Sequence, residues 1–401
     1  MNLDPNLDRR ARLLSYPAVL RGGFRPFFFL GSLWAVIVVC LWVAAMTGSV
    51  TLPTAFDPLA WHRHEMLYGY LGAVIAGFLL TAIPNWTGRL PIAGGRLAAL
   101  VSLWVAARLA MLFSARTGVA LAFVLDVGFL LVLAGSCARE VLVARNRNVP
   151  VVGAALLLGL AAAVDHLEAL GILATDGVGW RSGFALVLIL ITLIGGRIIP
   201  SFTRNWLAKQ GRTIGVPNQP SGYDFVTIAV TAAALAFWAF GTGTNITATL
   251  LLLAGAMQVV RMARWKGQLT LPEPLVFVLH LAYAWLPIGL GLLGLSLLVP
   301  TQPASAALHA LAAGAMASMT LAVMTRATLG HTGRELHANA GTTLIYLLVT
   351  LGAALRVSAA WLPFDYLMLI KASGALWGGA FLLFLLQFGP MLLGPRPDGR
   401  P

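Results

Sequence analysis

The feature that most limits what this chain can become is a succession of twelve apolar runs, most about 20 residues long, spread along all 401 residues. A helix rises about 1.5 Å per residue, so such a run crosses a hydrocarbon core of roughly 30 Å. Inside that core every backbone N–H and C=O must be paired within the protein, and continuous apolar runs meet the demand as helices. The runs cover approximately residues 24–47, 60–83, 95–114, 117–138, 150–172, 181–202, 223–242, 245–263, 274–297, 304–327, 340–360 and 366–390. With 59% hydrophobic and 10% charged residues, a water-soluble domain is excluded. The expectation is an all-α polytopic bundle of about 12 transmembrane helices. It forms a single integral-membrane domain over 1–401, with a short N-terminal segment 1–23, spans over 24–390 and a short tail 391–401.

Charge orients this bundle. Basic residues gather at Arg9, Arg10, Arg12 and Arg21, and then in alternate connections: Arg89 and Arg96; Arg139, Arg145 and Arg147; Arg204, Lys209 and Arg212; Arg261, Arg264 and Lys266; Arg326 and Arg334. The connections between them carry at most one each, Arg63, Arg116, Arg181 or Lys371. Basic loops stay on the cytoplasmic side, which places both termini in the cytoplasm. The net charge of +13 is thus mostly a topology signal, and no basic soluble domain is present to hold nucleic acid. Cys40 and Cys137 have neither metal nor disulfide spacing, and the first run reads as a retained span.

Trp61-His62-Arg63-His64-Glu65 stands at the mouth of the apolar stretch 66–84, where ionisable groups usually serve function. Asp57 and Pro58 read as the N-cap and first residue of that helix. Positions i and i+2 of a helix point about 200° apart, so His62 and His64 face different partners and cannot both ligate one ion. Glu65, on the face of His62, can orient that imidazole, pass a proton or sit in headgroup water. A faint repeat runs through every fourth span. The second ends Ile83-Pro84-Asn85-Trp86-Thr87-Gly88-Arg89, the sixth Ile199-Pro200-Ser201-Phe202-Thr203-Arg204-Asn205-Trp206 and the tenth Met324-Thr325-Arg326-Ala327-Thr328.

The seven histidines fall into two layers. On the outer side are His62, His64, His166 and His309. With Ser305 capping the tenth span, His309 lies about 6 Å along its axis and His64 about 9 Å along its own, so the two can share a plane. Neutral imidazole is the usual ligand for haem iron and copper, and a bundle can hold haem between facing helices. His64 and His309 are therefore candidate haem ligands, leaving His62, together with His166, for a second metal or haem. Ordinary helix-end polarity competes with this reading, as does a hydrogen-bonded interfacial role for His166 beside Asp165 and Glu168. Glu65 and His62 are the candidate catalytic pair, with Glu65, Asp165 and Glu168 delivering protons. Arg63 and Arg181 are candidate propionate partners or interfacial anchors. The inner layer holds His280, His331 and His337; His331 is the candidate ligand of a further metal or haem, against a plain cytoplasmic-face role. Arg197 can snorkel, pair with an acid or hold an anionic group.

Longer blocks carry a family resemblance: Arg21-Gly22-Gly23-Phe24-Arg25-Pro26-Phe27-Phe28, Trp61 through Gly69, Gly77 through Gly88, Gly195 through Asn205, and His309-Ala310-Leu311 through Thr325-Arg326-Ala327-Thr328-Leu329-Gly330-His331-Thr332-Gly333. In this order they resemble the NnrS proteins, bacterial inner-membrane proteins associated with the response to nitric oxide. The resemblance implies a protein that binds haem and copper and protects against nitric oxide or takes part in its metabolism. The cofactors it implies are haem b and a second haem or copper. The repeat suggests a three-by-four arrangement, three four-helix units around a central axis, and this with histidines on spans two and ten also looks like the haem-copper oxidase and nitric oxide reductase core, an analogy of fold alone. Spans six and seven contain no histidine, so the three-histidine copper site of that superfamily does not carry over.

Three readings follow. The first is a haem-containing redox protein acting on nitric oxide, a nitric oxide reductase-like oxidoreductase that draws electrons from a quinol or c-type cytochrome. The second is a non-catalytic haem or copper protein, a sensor or metal carrier. The third, from span count alone, is a twelve-helix transporter, disfavoured because transporters usually place polar groups near the bilayer midplane.

Overall fold

The computed structural model describes residues 11–217, 220–241 and 244–400; Arg9 and Arg10 lie outside them. Among the described residues there are helices and no strands, and twelve helices are long and apolar enough to cross a membrane. They are α1 (Phe24–Met46), α2 (Pro58–Thr87), α3 (Gly95–Leu112), α4 (Val119–Val143), α5 (Val149–Ala169), α6 (Val178–Lys209), α7 (Gly222–Phe240), α8 (Asn245–Ala263), α9 (Pro274–Leu298), α10 (Ala304–His331), α11 (Ala340–Ser358) and α12 (Tyr366–Leu393). Each expected run has its helix. The helices α2, α6 and α10 outgrow their runs, reaching 30, 32 and 28 residues, because polar end segments such as 203–209 continue the hydrogen-bonded spiral past the apolar stretch.

Local chemistry sets the start of α2 as the sequence implies. Asp57 Oδ1 accepts from the backbone N–H of Leu59 at 2.9 Å and of Ala60 at 3.1 Å, and Pro58 occupies the first turn, where its missing N–H costs nothing. Gly88, at φ 67°, closes the helix in the left-handed conformation that glycine adopts without strain.

The contacts divide the chain into two units. The first comprises Met1–Gly183, Ala327–Glu335 and Phe384–Pro401. In it α1 packs on α2, α3 on α4, and α4 on α5. Two of the sequence blocks meet here: a Cβ on Gly77 would lie 2.7 Å from the Phe28 ring, so glycine is what lets the aromatic block of α1 lie against α2. Buried Arg25 donates through one Nη to the carbonyls of Met391, Leu392 and Gly394 at 3.2, 3.0 and 2.7 Å. These are carbonyls that the end of α12 leaves without helical partners.

The second unit comprises Phe184–Arg326 and Leu336–Leu383. Here α7 packs on α8, α8 on α9, and α9 and α11 on the first half of α10. A buried polar chain crosses it. Arg261 donates to Asp224 Oδ1 at 2.9 Å, the Thr192 carbonyl at 3.0 Å and the Tyr283 hydroxyl at 3.1 Å. Tyr283 in turn donates to Gln258, and Gln258 to Thr231.

Among the described residues three π-helical segments interrupt the ladder: Glu65–Tyr70 in α2, Ile191–Gly195 in α6 and Ala310–Met316 in α10. They fall on every fourth span, the interval at which the sequence shows its faint repeat. Such insertions often sit at functional sites. His64 directly precedes the first and His309 the third.

Candidate metal centre

Four spans of the first unit converge on one buried polar cluster. His64 and Glu65 come from the opening of the π segment in α2, Arg108 from the last turns of α3, Asp126 from the second turn of α4, and Asp165 with His166 from the end of α5. All six are at most 5% exposed. Asp126 is the junction: its Oδ2 lies 3.0 Å from His64 Nε2 and 3.1 Å from His166 Nε2, while its Oδ1 accepts from Arg108. The other ring nitrogen of His64, Nδ1, lies 2.9 Å from Asp165 Oδ2. Arg108 also reaches both oxygens of Glu65 at 2.8 Å, and the Trp34 indole donates to Glu65 Oε2 at 2.6 Å. The π segment makes room for this. Trp104 donates to the Gly69 carbonyl at 3.0 Å, and a Cβ on Gly69 would lie 2.6 Å from Arg108 Nη1 and 2.7 Å from Glu65 Oε2.

The charges in this cluster do not balance on their own. Glu65, Asp126 and Asp165 are carboxylates; Arg108 and Arg63 are their guanidiniums, the latter 3.7 Å from Asp165. A buried, unmatched negative charge is costly, so a cation belongs here. For His64 to donate to carboxylates from both nitrogens it must be imidazolium. A metal ion at Nε2 gives the alternative balance, with Nδ1–H donating to Asp165 as metal-bound histidines usually do. His64 Nε2, Asp126 Oδ2 and His166 Nε2 lie within 4.8 Å of one another. Adjacent ligands on an ion with bonds of about 2.0–2.2 Å stand about 3 Å apart, which is the separation of the oxygen from each nitrogen. Two imidazoles and one carboxylate suit first-row transition metals and leave coordination positions open. Among the described residues His166 Nδ1 is buried with no hydrogen-bond partner, and the edges of Phe56 and Phe123 enclose the ring at 5.6 Å each.

A family model described as NnrS protein matches residues 18–396, nearly the whole chain. The chain belongs to the NnrS family. A comparison with curated proteins finds no match. Family membership, with its twelve apolar helices, makes this a multi-pass membrane protein of the nitric oxide response, in a family associated with haem and metal binding.

In this NnrS-family chain, the sequence-derived candidates separate. His64, His166, Glu65 and Asp165 come together, and Arg63 joins their edge, its guanidinium 4.7 Å over the Trp180 ring. His62 turns away and stacks on Trp42 at 4.6 Å, so the two histidines of the Trp61–Glu65 motif face different partners as helical spacing requires. Glu168 accepts from the Gly177 backbone N–H, which ties the loop after α5. His309 lies in the second unit, its Nδ1 2.7 Å from the Ser305 carbonyl. His331 is exposed and leans on Phe24, ring to ring at 5.4 Å; Arg181 is half-buried, and Arg197 is exposed on α6. His280 is buried against the Thr203 hydroxyl at 2.8 Å, and His337 pairs with Glu273 at 2.7 Å.

Two members of the centre are absent from the sequence reading, Arg108 and Asp126. The signal was present: Asp126 is the lone charge of the run 117–138 and Arg108 lies deep in the run 95–114, whose other charge, Arg96, stands at its start, and an ionisable residue within a span marks a site by default.

Proposed function

We propose that this chain is a redox-active inner-membrane protein acting on nitric oxide, in which His64, Asp126 and His166 would hold an iron or copper ion and His309 would hold haem b. The observation that carries this reading is the meeting of two imidazole nitrogens and one carboxylate oxygen in a buried cluster rich in carboxylates. His64, read from the sequence as a haem ligand, suits a small ion better because both of its nitrogens face carboxylates. His309 suits haem because its Nδ1–H donates to Ser305, which leaves the Nε2 lone pair for iron.

Reducing two nitric oxide molecules to nitrous oxide and water consumes two electrons and two protons. Metals held by these residues would supply electron transfer and a coordination position for the gas. The chain's own residues do the rest. Asp165 fixes the His64 ring by accepting from Nδ1, and Arg108 holds Asp126 Oδ1 so that Oδ2 turns to the histidines. Trp34 and Arg108 hold Glu65 within the same cluster, where it can pass a proton. Asp165, beside Arg63, which is about one-third exposed, is the carboxylate that would take up protons from the outer side. Electrons come from a quinol or a c-type cytochrome, and both termini face the cytoplasm.

Anaerobic nitric oxide consumption by the purified protein, followed with an electrode and a chemical reductant, tests this. Stoichiometric nitrous oxide that is lost in His166→Ala supports it. Metal and nitric oxide binding with no turnover under any reductant would make the protein a sensor or carrier.

A further inference from the structure

Two adjoining cavities open on the first unit where α3 begins and α4 ends, the ends of these helices opposite to those that carry Arg108 and Asp126. One, of about 510 Å³, is walled by Arg12, Tyr16, Arg89, Arg96 and Glu140 among others. The other, of about 330 Å³, follows α3 and α4 over Leu100, Leu103 and Val132 to Ser136 and Arg139. Ile92, Arg96 and Glu140 line both, so the two make one depression.

Its chemistry changes along its length, and both helices change in step. On α3 the lining positions 96, 99, 100 and 103 form one helical face, running from a guanidinium to leucine over about 10 Å. On α4, positions 139, 136 and 132 run from a guanidinium through a hydroxyl to valine over the same distance. Charge thus lies at one end and an apolar lane at the other. Glu140, the only carboxylate among the described residues of the walls, is taken by Arg89. Arg12, Arg96 and Arg139 make no ion pair among the described residues, and all three are exposed.

We propose that this depression binds one anionic phospholipid, its phosphate between Arg96 and Arg139 and an acyl chain along Leu103 and Val132. The planar fork of arginine matches phosphate oxygens in pairs, and basic pockets between spans on the cytoplasmic side are suited to anionic headgroups. A choline or ethanolamine headgroup would bring its own cation against walls that hold four arginines and one neutralised acid. The apolar lane gives a free phosphate nothing to gain, so a lipid is favoured over the inorganic ion.

Native mass spectrometry of the detergent-purified, metal-loaded protein tests this with phosphatidylglycerol, phosphatidylcholine and inorganic phosphate as competing probes. The expected result is one retained phosphatidylglycerol, with affinity lowered roughly tenfold or more by R96Q combined with R139Q. Lys371→Gln, outside the depression, should leave it unchanged, and metal content should stay equal in all three proteins. Val132→Trp, which fills the lane without touching charge, should weaken lipid retention as well. Equal retention of phosphatidylcholine, unchanged retention in the double arginine variant, or displacement by millimolar inorganic phosphate would each overturn the proposal. Because the metal is measured in the same samples, loss of the lipid site and loss of the metal site are told apart.

Discussion

Asp126 does two jobs with two oxygens: one accepts from Arg108, and the other faces both histidines. Exchanging it for asparagine removes the charge that an ion needs while keeping the shape. Asp126→Asn is expected to bind metal far more weakly and to stay folded, checked by metal analysis beside circular dichroism. Asp165→Asn touches the ion only through His64, and the loss of such a supporting carboxylate costs roughly 10–100-fold in metal affinity. Arg108 carries a different burden. Arg108→Ala strands Glu65 and Asp126 as buried charges, a loss of about 3–5 kcal/mol, seen as a lowered unfolding midpoint in detergent. The histidines and Glu65 were legible because polar residues at the mouth of an apolar run stand out. Asp126 and Arg108 were legible only as isolated charges; nothing in one sequence shows that α3, α4 and α5 bring them to His64. That follows from which helices pack, which periodicity does not encode.

Helix count, the cap at Asp57 and the placement of all twelve spans could be read from apolar run length and turn chemistry. The π segments could not, since one extra residue in a turn leaves hydrophobicity unchanged. They matter because each opens a carbonyl or a glycine to a neighbour. In α2 the Gly69 carbonyl takes the Trp104 indole; in α6 the Thr192 carbonyl takes Arg261, whose guanidinium lies on Gly196. A methyl group has no room at either glycine. Gly196→Ala is expected to cost about 1–3 kcal/mol with metal content unchanged. Gly69→Ala should cost a similar amount and also reduce bound metal, because its Cβ would press on the Arg108–Glu65 pair. Thermal unfolding and metal analysis on both variants separate the two outcomes.

The chain as a whole is a membrane bundle whose π segments recur at every fourth span, in line with the repeat seen at the ends of α2, α6 and α10. The basic connections expected on the cytoplasmic side include Arg89, Arg96 and Arg139, which line the depression on the first unit. A folding-dependent fluorescent reporter fused after the C-terminus is expected to light, as a cytoplasmic terminus requires. The metal centre is the claim on which the functional account rests. Metal analysis with X-ray absorption on the purified protein, on Asp126→Asn and on His166→Ala tests it. Apart from haem iron, the account expects one iron or copper ion per chain, bound through nitrogen and oxygen and lost in both variants. An ion that persists unchanged in both, or the absence of any such ion from protein purified under metal-replete conditions, would contradict it.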